Sequence, residues 1–290
     1  MKRKSLRELL DKQKIVRVLE VHNSLTGLIV ENLRIHDGNQ IKEFDAMWSS
    51  SLIDSTCKGK PDIEVVDITS RLTNINDIFE VTTKPLIFDA DTGGRAEHFI
   101  FKVRSLDRLG VSAVIIEDKT GLKRNSLFGN DVLQIQEEVD VFCEKISAGK
   151  QAKTSAEFMV IARIESLVMN KGMEDAIKRA AAYIEAGADA LMIHSIKNEP
   201  DEIFEFCQKF NQFSKKIPLV SVPTTYNKVT EMQLIDAGIS IVIYANHMLR
   251  SAYPSMINVA KSILKHSRSA DSEDSCMSIK EILGLISGTS

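Results

Sequence analysis

Asp89 and Asp91 stand two residues apart at the end of an apolar run, in the stretch Asp89-Ala90-Asp91-Thr92-Gly93-Gly94. On a strand, that spacing puts both carboxylates on one face. Converging carboxylates repel each other unless one is protonated or a cation lies between them. A third acid, Glu117, closes the next apolar run. The set is all oxygen and no sulfur, which suits Mg²⁺, with Mn²⁺ as an alternative, rather than zinc. A lone Asp-x-Asp pair would be weak evidence, since it can equally cap helices or bind basic partners; Glu117 at the neighbouring run's end favours a metal. A further run carries Arg163 and another ends in His194, adding cationic or donor groups. Together with a metal they describe a pocket for an anion, a phosphate plus a carboxylate. Taken singly, either would be read as half of a structural pair. Ser49-Ser50-Ser51 could present N–H groups to a carboxylate, although a serine turn alone is more simply a polar turn. The polar stretch Lys119–Asn130 contains two glycines and could close over substrate and exclude water; the plainer reading is a solvated loop.

These groups meet only if the runs carrying them are parallel strands. Eight such runs occur: Ile15–Val21, Ala46–Trp48, Pro85–Asp89, Ser112–Glu117, Met159–Ile164, Ala190–His194, Pro218–Pro223 and Ile239–Ala245. They are short, Val/Ile-rich and nearly continuous, as strands buried on both faces are. Amphipathic segments separate them, such as Met173, Ala176, Ile177, Ala180 and Ile184, or Ile203, Phe206, Phe210 and Phe213. Three times a helix pattern ends at glycine (Gly110, Gly187, Gly238) just before a strand. About eight strand–helix units in this length predict an α/β fold of the (β/α)8 type. An open doubly wound sheet is the runner-up, but no glycine-rich dinucleotide loop follows the first strand. Catalytic groups of such a barrel sit at the C-terminal strand ends. Residues 1–266 are expected to form the barrel. Residues 267–290 would be a polar linker, Ser267–Ser275, and an amphipathic helix built on Ile279, Ile282, Leu283 and Ile286. That helix would dock equally well on a partner subunit or on its own barrel.

Composition excludes several classes. The 290 residues carry a net charge of −3, with 43% hydrophobic and 27% charged residues, so neither global disorder nor a strongly basic nucleic-acid binder is indicated. Cys57, Cys143, Cys207 and Cys276 are far apart, with no zinc spacing and no redox motif, which fits reduced thiols and a cytoplasmic protein. Cys57 reads as a small packed thiol, and His36, His98 and His266 as surface residues. The basic start leads into an amphipathic pattern (Leu6, Leu9, Leu10) unlike a signal peptide, and no apolar run is long enough to span a membrane.

Glu117-Asp118-Lys119 followed by Lys123-Arg124-Asn125-Ser126 resembles the signature of the isocitrate lyase/phosphoenolpyruvate mutase superfamily, and within it the mutase branch. Similar to family segments are also Lys58-Gly59-Lys60-Pro61-Asp62, the Asp89–Gly94 stretch, Ile161-Ala162-Arg163-Ile164-Glu165 and Tyr244-Ala245-Asn246-His247, in the right order along nearly the whole chain. The resemblance implies a modified (β/α)8 barrel, assembled as a homotetramer with an exchanged terminal helix. It implies Mg²⁺ on Asp89, with Asp91 and Glu117 acting through bound water. Ser50, Ser51 and Leu52 would hold the pyruvyl carboxylate, with Trp48 as a wall. Arg163 and His194 would hold the phosphoryl group, Lys123, Asn125 and Ser126 would ride on the lid, and Asp62 would lie beside the phosphoryl group. The implied reaction converts phosphoenolpyruvate to phosphonopyruvate, drawn forward by a downstream phosphonopyruvate decarboxylase. Phosphonopyruvate hydrolase is the nearest rival; the family's mutases carry Asn on the lid where hydrolases differ, so Asn125 favours the mutase. A lyase is disfavoured because the lid lacks cysteine, and a non-catalytic ligand-binding barrel because no catalytic residue is lost.

Overall fold

A computed structural model describes residues 3–38, 40–286 and 288. The chain divides into two compact units, Met1–Ala245 and Asn246–Ser290. In the first, eight strands match the eight apolar runs: β1 (Val16–Glu20), β2 (Ala46–Ser49), β3 (Leu86–Asp89), β4 (Ala113–Glu117), β5 (Met159–Ile164), β6 (Ala190–Ile193), β7 (Leu219–Ser221) and β8 (Ile239–Tyr244). They close a barrel in the order β1-β8-β7-β6-β5-β4-β3-β2, each neighbouring pair parallel. The (β/α)8 expectation holds.

Nine helices of this unit matter for position: α1 (Leu6–Lys12), α2 (Ser24–Asn32), α3 (Ser51–Cys57), α4 (Ile68–Glu80), α5 (Ala96–Leu109), α6 (Val139–Ala152), α7 (Gly172–Glu185), α8 (Asp201–Phe210) and α9 (Glu231–Ala237). The longer ones bury an apolar stripe, for example Ile203, Phe206, Cys207 and Phe210 on α8. Gly110, Gly187 and Gly238 follow α5, α7 and α9 with φ of +93°, +100° and +95°, where a side chain would be strained.

Side-chain parity explains why the barrel mouth is polar. Val16 and Val18, Ile87, Ala113 and Ile115, Met159 and Ile161, and Ala190 and Met192 belong to one buried cluster filling the barrel. Successive side chains on a strand alternate faces. Two residues beyond each run, the same inward parity therefore reaches Glu20, Asp89, Glu117, Arg163 and His194. The opposite parity sends Asp118 outward to α7, where Tyr183 Oη donates to it at 2.7 Å.

The second unit contains α10 (His247–His266), a 3₁₀ turn over Ala270–Ser275 and α11 (Ile279–Gly284), the last opened by a Ser278/Glu281 capping box. The segment expected as a linker thus carries local structure, with an Arg268–Asp271 ion pair of 2.7 Å. α10 groups with this C-terminal unit. Cys57 corrects the packed-thiol expectation: it ends α3 and is exposed. His36, His98 and His266 are exposed as expected. Among the described residues, no helix is long and apolar enough to cross a membrane.

Candidate active site

The rim of the barrel brings the predicted acids and bases together. Asp89 ends β3 and is buried. Its Oδ2 accepts from the Ser51 N–H at 3.2 Å and the Ser51 hydroxyl at 2.9 Å, and its Oδ1 accepts from the Asp91 N–H at 3.0 Å. Asp91 does not continue the strand. It sits in a turn with φ of +56°, so the two carboxylates converge through a left-handed turn rather than through strand alternation. Burial pushes Asp91 up to about 6, helped by the Asp89 charge and opposed by Lys123 and Arg71. Burial acts on Asp89 in the same sense, but Lys123, Arg163 and Arg71 outweigh it and hold Asp89 below the usual carboxylate range.

Glu117 ends β4 directly across from Arg163 on β5. It is buried and pushed up to about 7 by that burial, against the pull of Lys119, Arg163 and Lys123. Arg163 Nη2 lies 3.4 Å from Glu117 Oε2 and donates to Ser126 Oγ at 2.7 Å and to His194 Nδ1 at 2.8 Å. A guanidinium only donates, so with Arg163 on Nδ1 that nitrogen accepts and the ring proton sits on Nε2; Glu165 Oε1, 3.1 Å from the same Nδ1, is the acceptor that favours the other tautomer. Burial and the Arg163 charge hold His194 below its ordinary value despite Glu165, so the imidazole is neutral near pH 7. Arg163 Nε also pairs with Glu165.

The Lys119–Asn130 stretch packs onto the rim. Its base is tied by a two-stranded hairpin, Lys119–Thr120 against Ile135–Gln136, and Ser126–Phe128 forms a 3₁₀ turn capped by Asn125. Lys123 Nζ pairs with Asp62, lies 2.9 Å from Asp91 Oδ1 and donates to Ser51 Oγ at 3.1 Å. Burial would lower Lys123, but Asp91, Glu117, Asp62 and Asp89 raise it above its ordinary value, so it stays charged. Asn125 Nδ2 donates to Asp62 Oδ2 at 2.7 Å. Ser126 Oγ accepts from Lys119 at 2.6 Å and donates to Glu165 at 2.6 Å. Asp62, Lys123, Asn125 and Ser126 are therefore brought to the same mouth as Asp89, Asp91, Glu117, Arg163 and His194. Ser50 and Ser51 are buried at the start of α3, followed by Leu52. Trp48 belongs to the barrel core, with its indole N–H buried and without a hydrogen-bond partner among the described residues.

Four participants carried no assigned role in the sequence reading. Lys119 is buried among Ser126, Glu117 and Glu165. Glu165 binds Arg163, Ser126 and Lys119 from below. Glu20 is buried at the end of β1 and pairs with His22. The Val16, Val18, Glu20 parity is the signal that would have found it. Arg71, from α4, reaches the rim from a segment that shows no signal in the sequence.

The donor chemistry can be tested against a divalent cation. Among the described residues, no three Asp, Glu, His or Cys side chains are close enough to chelate one ion directly. Asp91 Oδ1 and Glu117 Oε1 are nevertheless buried, and among the described residues their partners are the ammoniums of Lys123 at 2.9 Å and Lys119 at 3.4 Å, with no neutral hydrogen-bond donor on either. Such oxygens, with Asp89 between cations, fit a hard ion that keeps much of its water, as Mg²⁺ does.

The family model of phosphoenolpyruvate phosphomutase matches residues 6–264. A phosphoenolpyruvate phosphomutase of Streptomyces hygroscopicus is 35% identical over 285 residues, covering 97% of this chain and 86% of the relative. A phosphonopyruvate hydrolase of Variovorax sp. (strain Pal2) is 33% identical over 286 residues, covering 98% of this chain and 94% of the relative. A solved phosphonopyruvate hydrolase complexed with oxalate and Mg²⁺ superposes with a TM-score of 0.85 at 32% identity, covering 97% of this chain and 93% of that one.

Proposed function

The chain belongs to the phosphoenolpyruvate phosphomutase family, and from that premise we propose that it interconverts phosphoenolpyruvate and phosphonopyruvate as a Mg²⁺-dependent isomerase. The observation that carries the choice of mutase over hydrolase is Asn125, which clamps the lid onto Asp62 at 2.7 Å. The two activities have comparably similar relatives, so overall likeness does not separate them.

In the reaction, the ester P–O bond of phosphoenolpyruvate breaks and its electron pair stays on the enolate oxygen. The phosphoryl group is captured by the methylene carbon, the C–P bond forms and the ketone appears; no atom enters or leaves. Phosphoryl transfer is loose, with charge on the equatorial oxygens, so fixed donors and cations do most of the work. Arg163, neutral His194 through Nε2–H, and Lys123 supply those donors. Glu165 and Ser126 hold Arg163 in place. The Ser50–Leu52 turn would take the carboxylate and Trp48 would wall the pocket. Asp89 would hold Mg²⁺ directly, with Asp91 and Glu117 binding through water. When bound, the ion stabilises negative charge on the enolate. Lid closure by Lys123, Asn125 and Ser126 keeps water from the phosphoryl group, which is the requirement that separates isomerisation from hydrolysis. Asp62 anchors that closure.

Homotetramer formation with an exchanged α11 belongs to the same reading and is supported by exposed Ile279, Ile282 and Leu283 on α11. So do a cytoplasmic setting and a phosphonopyruvate decarboxylase that consumes the product. The activity is tested with phosphonopyruvate and Mg²⁺ in two coupled assays. Phosphoenolpyruvate is expected, read through pyruvate kinase; pyruvate formed without the kinase would instead mean hydrolysis.

A further inference from the structure

Arg71 is buried at the rim, and a buried guanidinium needs a reason. It reaches in from α4 and binds three separate segments. Nε donates to Asp54 Oδ2 on α3 at 2.7 Å. Nη1 donates to the Asp89 carbonyl at 2.6 Å and lies 3.5 Å from Asp91 Oδ2. Nη2 donates to the Ser49 carbonyl and hydroxyl at 3.4 and 3.5 Å. The guanidinium also lies over the Phe88 ring, 3.9 Å from its centroid. Asp54 is the counter-ion, itself held by the Ser49 hydroxyl at 2.9 Å.

A buried ion pair seldom adds net stability over apolar packing of equal volume. This one is placed where geometry matters. Ser49 and Asp89 end β2 and β3 at the carboxylate rim, and Asp91, in the turn after β3, stands in a left-handed conformation that its neighbours must hold. The opposite side of Asp91 is held by Lys123 from the Lys119–Asn130 loop. Arg71, from helix α4, is the other half of that clamp. A planar fork can hold a carboxylate, two carbonyls and a second carboxylate at once; an ammonium cannot.

We propose that Arg71, with Asp54, is a positioning residue that fixes Asp89 and Asp91 for the divalent cation, an inference that rests on the Mg²⁺-dependent reading above. Charge alone would argue the other way, since a cation beside the site repels a metal ion. The test therefore uses variants that leave the net charge of the pair unchanged. Arg71→Lys keeps the charge and loses the fork. Arg71→Met with Asp54→Leu removes both charges and packs the space.

Mn²⁺ binding to the substrate-free protein is followed by electron paramagnetic resonance, alongside thermal unfolding. Both variants are expected to bind Mn²⁺ about 10–100-fold more weakly, the usual cost of losing a group that orients a metal ligand. The double variant is expected to unfold near the wild-type temperature, which a merely structural role would not reconcile with lost affinity. The Mg²⁺ concentration for half-maximal rate should rise in parallel, with kcat less affected. Wild-type Mn²⁺ affinity in both variants overturns the inference and leaves the reaction intact. Absence of Mn²⁺ binding by the unmodified protein overturns the metal-dependent reading and this inference with it.

Discussion

Glu165→Gln isolates the charge that organises the phosphoryl end of the site. Glu165 is fully buried and binds Arg163, Ser126 and Lys119, with His194 Nδ1 at 3.1 Å. Burial alone would raise its pKa, yet the Arg163 and Lys119 charges outweigh that and hold it well below the usual range. Glutamine keeps the shape and some hydrogen bonds but leaves two buried cations short of one counter-charge. Breaking such a pair costs about 3–5 kcal/mol. Taking about 3 because glutamine still accepts hydrogen bonds, and about 2–4 °C per kcal/mol for a chain of this size, the melting temperature should fall by about 6–12 °C near neutral pH. The sign with pH follows from the depressed pKa. The stabilisation is present above the unfolded-state value of about 4.3 and is lost as pH falls through the folded-state value, so the gap between the proteins narrows in acid. Activity should fall about 100-fold as Arg163 and His194 lose their alignment, with substrate affinity less affected. Scanning calorimetry from neutral to acid pH checks the first part and steady-state kinetics the second. Equal melting temperatures at neutral pH, or a gap that does not shrink in acid, would refute the reasoning.

Asn125→Asp places a second carboxylate where Asn125 now donates to Asp62 at 2.7 Å. The lid should be driven open, kcat should fall about 100-fold, and inorganic phosphate should become detectable by a molybdate assay. Mn²⁺ affinity should rise as pH increases, because Asp91 and Glu117, raised by burial to about 6 and about 7, carry charge only above those values. Titrations from about pH 5.5 to 8 that show no gain would contradict those assignments. Gly149→Ala should destabilise the barrel wall, since its Cβ would stand 2.5 Å from Phe99 Cε1, at a cost of about 1–3 kcal/mol seen in urea unfolding.

Much of the architecture was legible because it rests on short-range signals. Each apolar run became a strand, and the glycines after α5, α7 and α9 took the left-handed conformation their positions required. Parity carried Asp89, Glu117, Arg163 and His194 to one rim, so strand-end residues were readable as a set. The rest depends on contacts that no local pattern encodes. Arg71 sits on α4 and meets Asp54, 17 residues away, and the Asp89 carbonyl, 18 away. Asp91 looked like a strand residue, but Thr92 and the two glycines after it turn the chain at that point. Lys123 was readable as a lid residue; that its ammonium would sit between Asp62 and Asp91 was not.

The central claim is that the phosphoryl group moves between carbon and oxygen without meeting water. Phosphonopyruvate, Mg²⁺ and the protein in ¹⁸O-enriched water, followed by phosphorus NMR, test it directly. The account predicts that the carbon-bound phosphorus signal gives way to that of phosphoenolpyruvate, with no inorganic phosphate and no ¹⁸O in the non-bridging phosphoryl positions; only the ester oxygen, which derives from the water-exchangeable ketone, can carry label. Inorganic phosphate carrying one ¹⁸O would contradict it and make the enzyme a hydrolase.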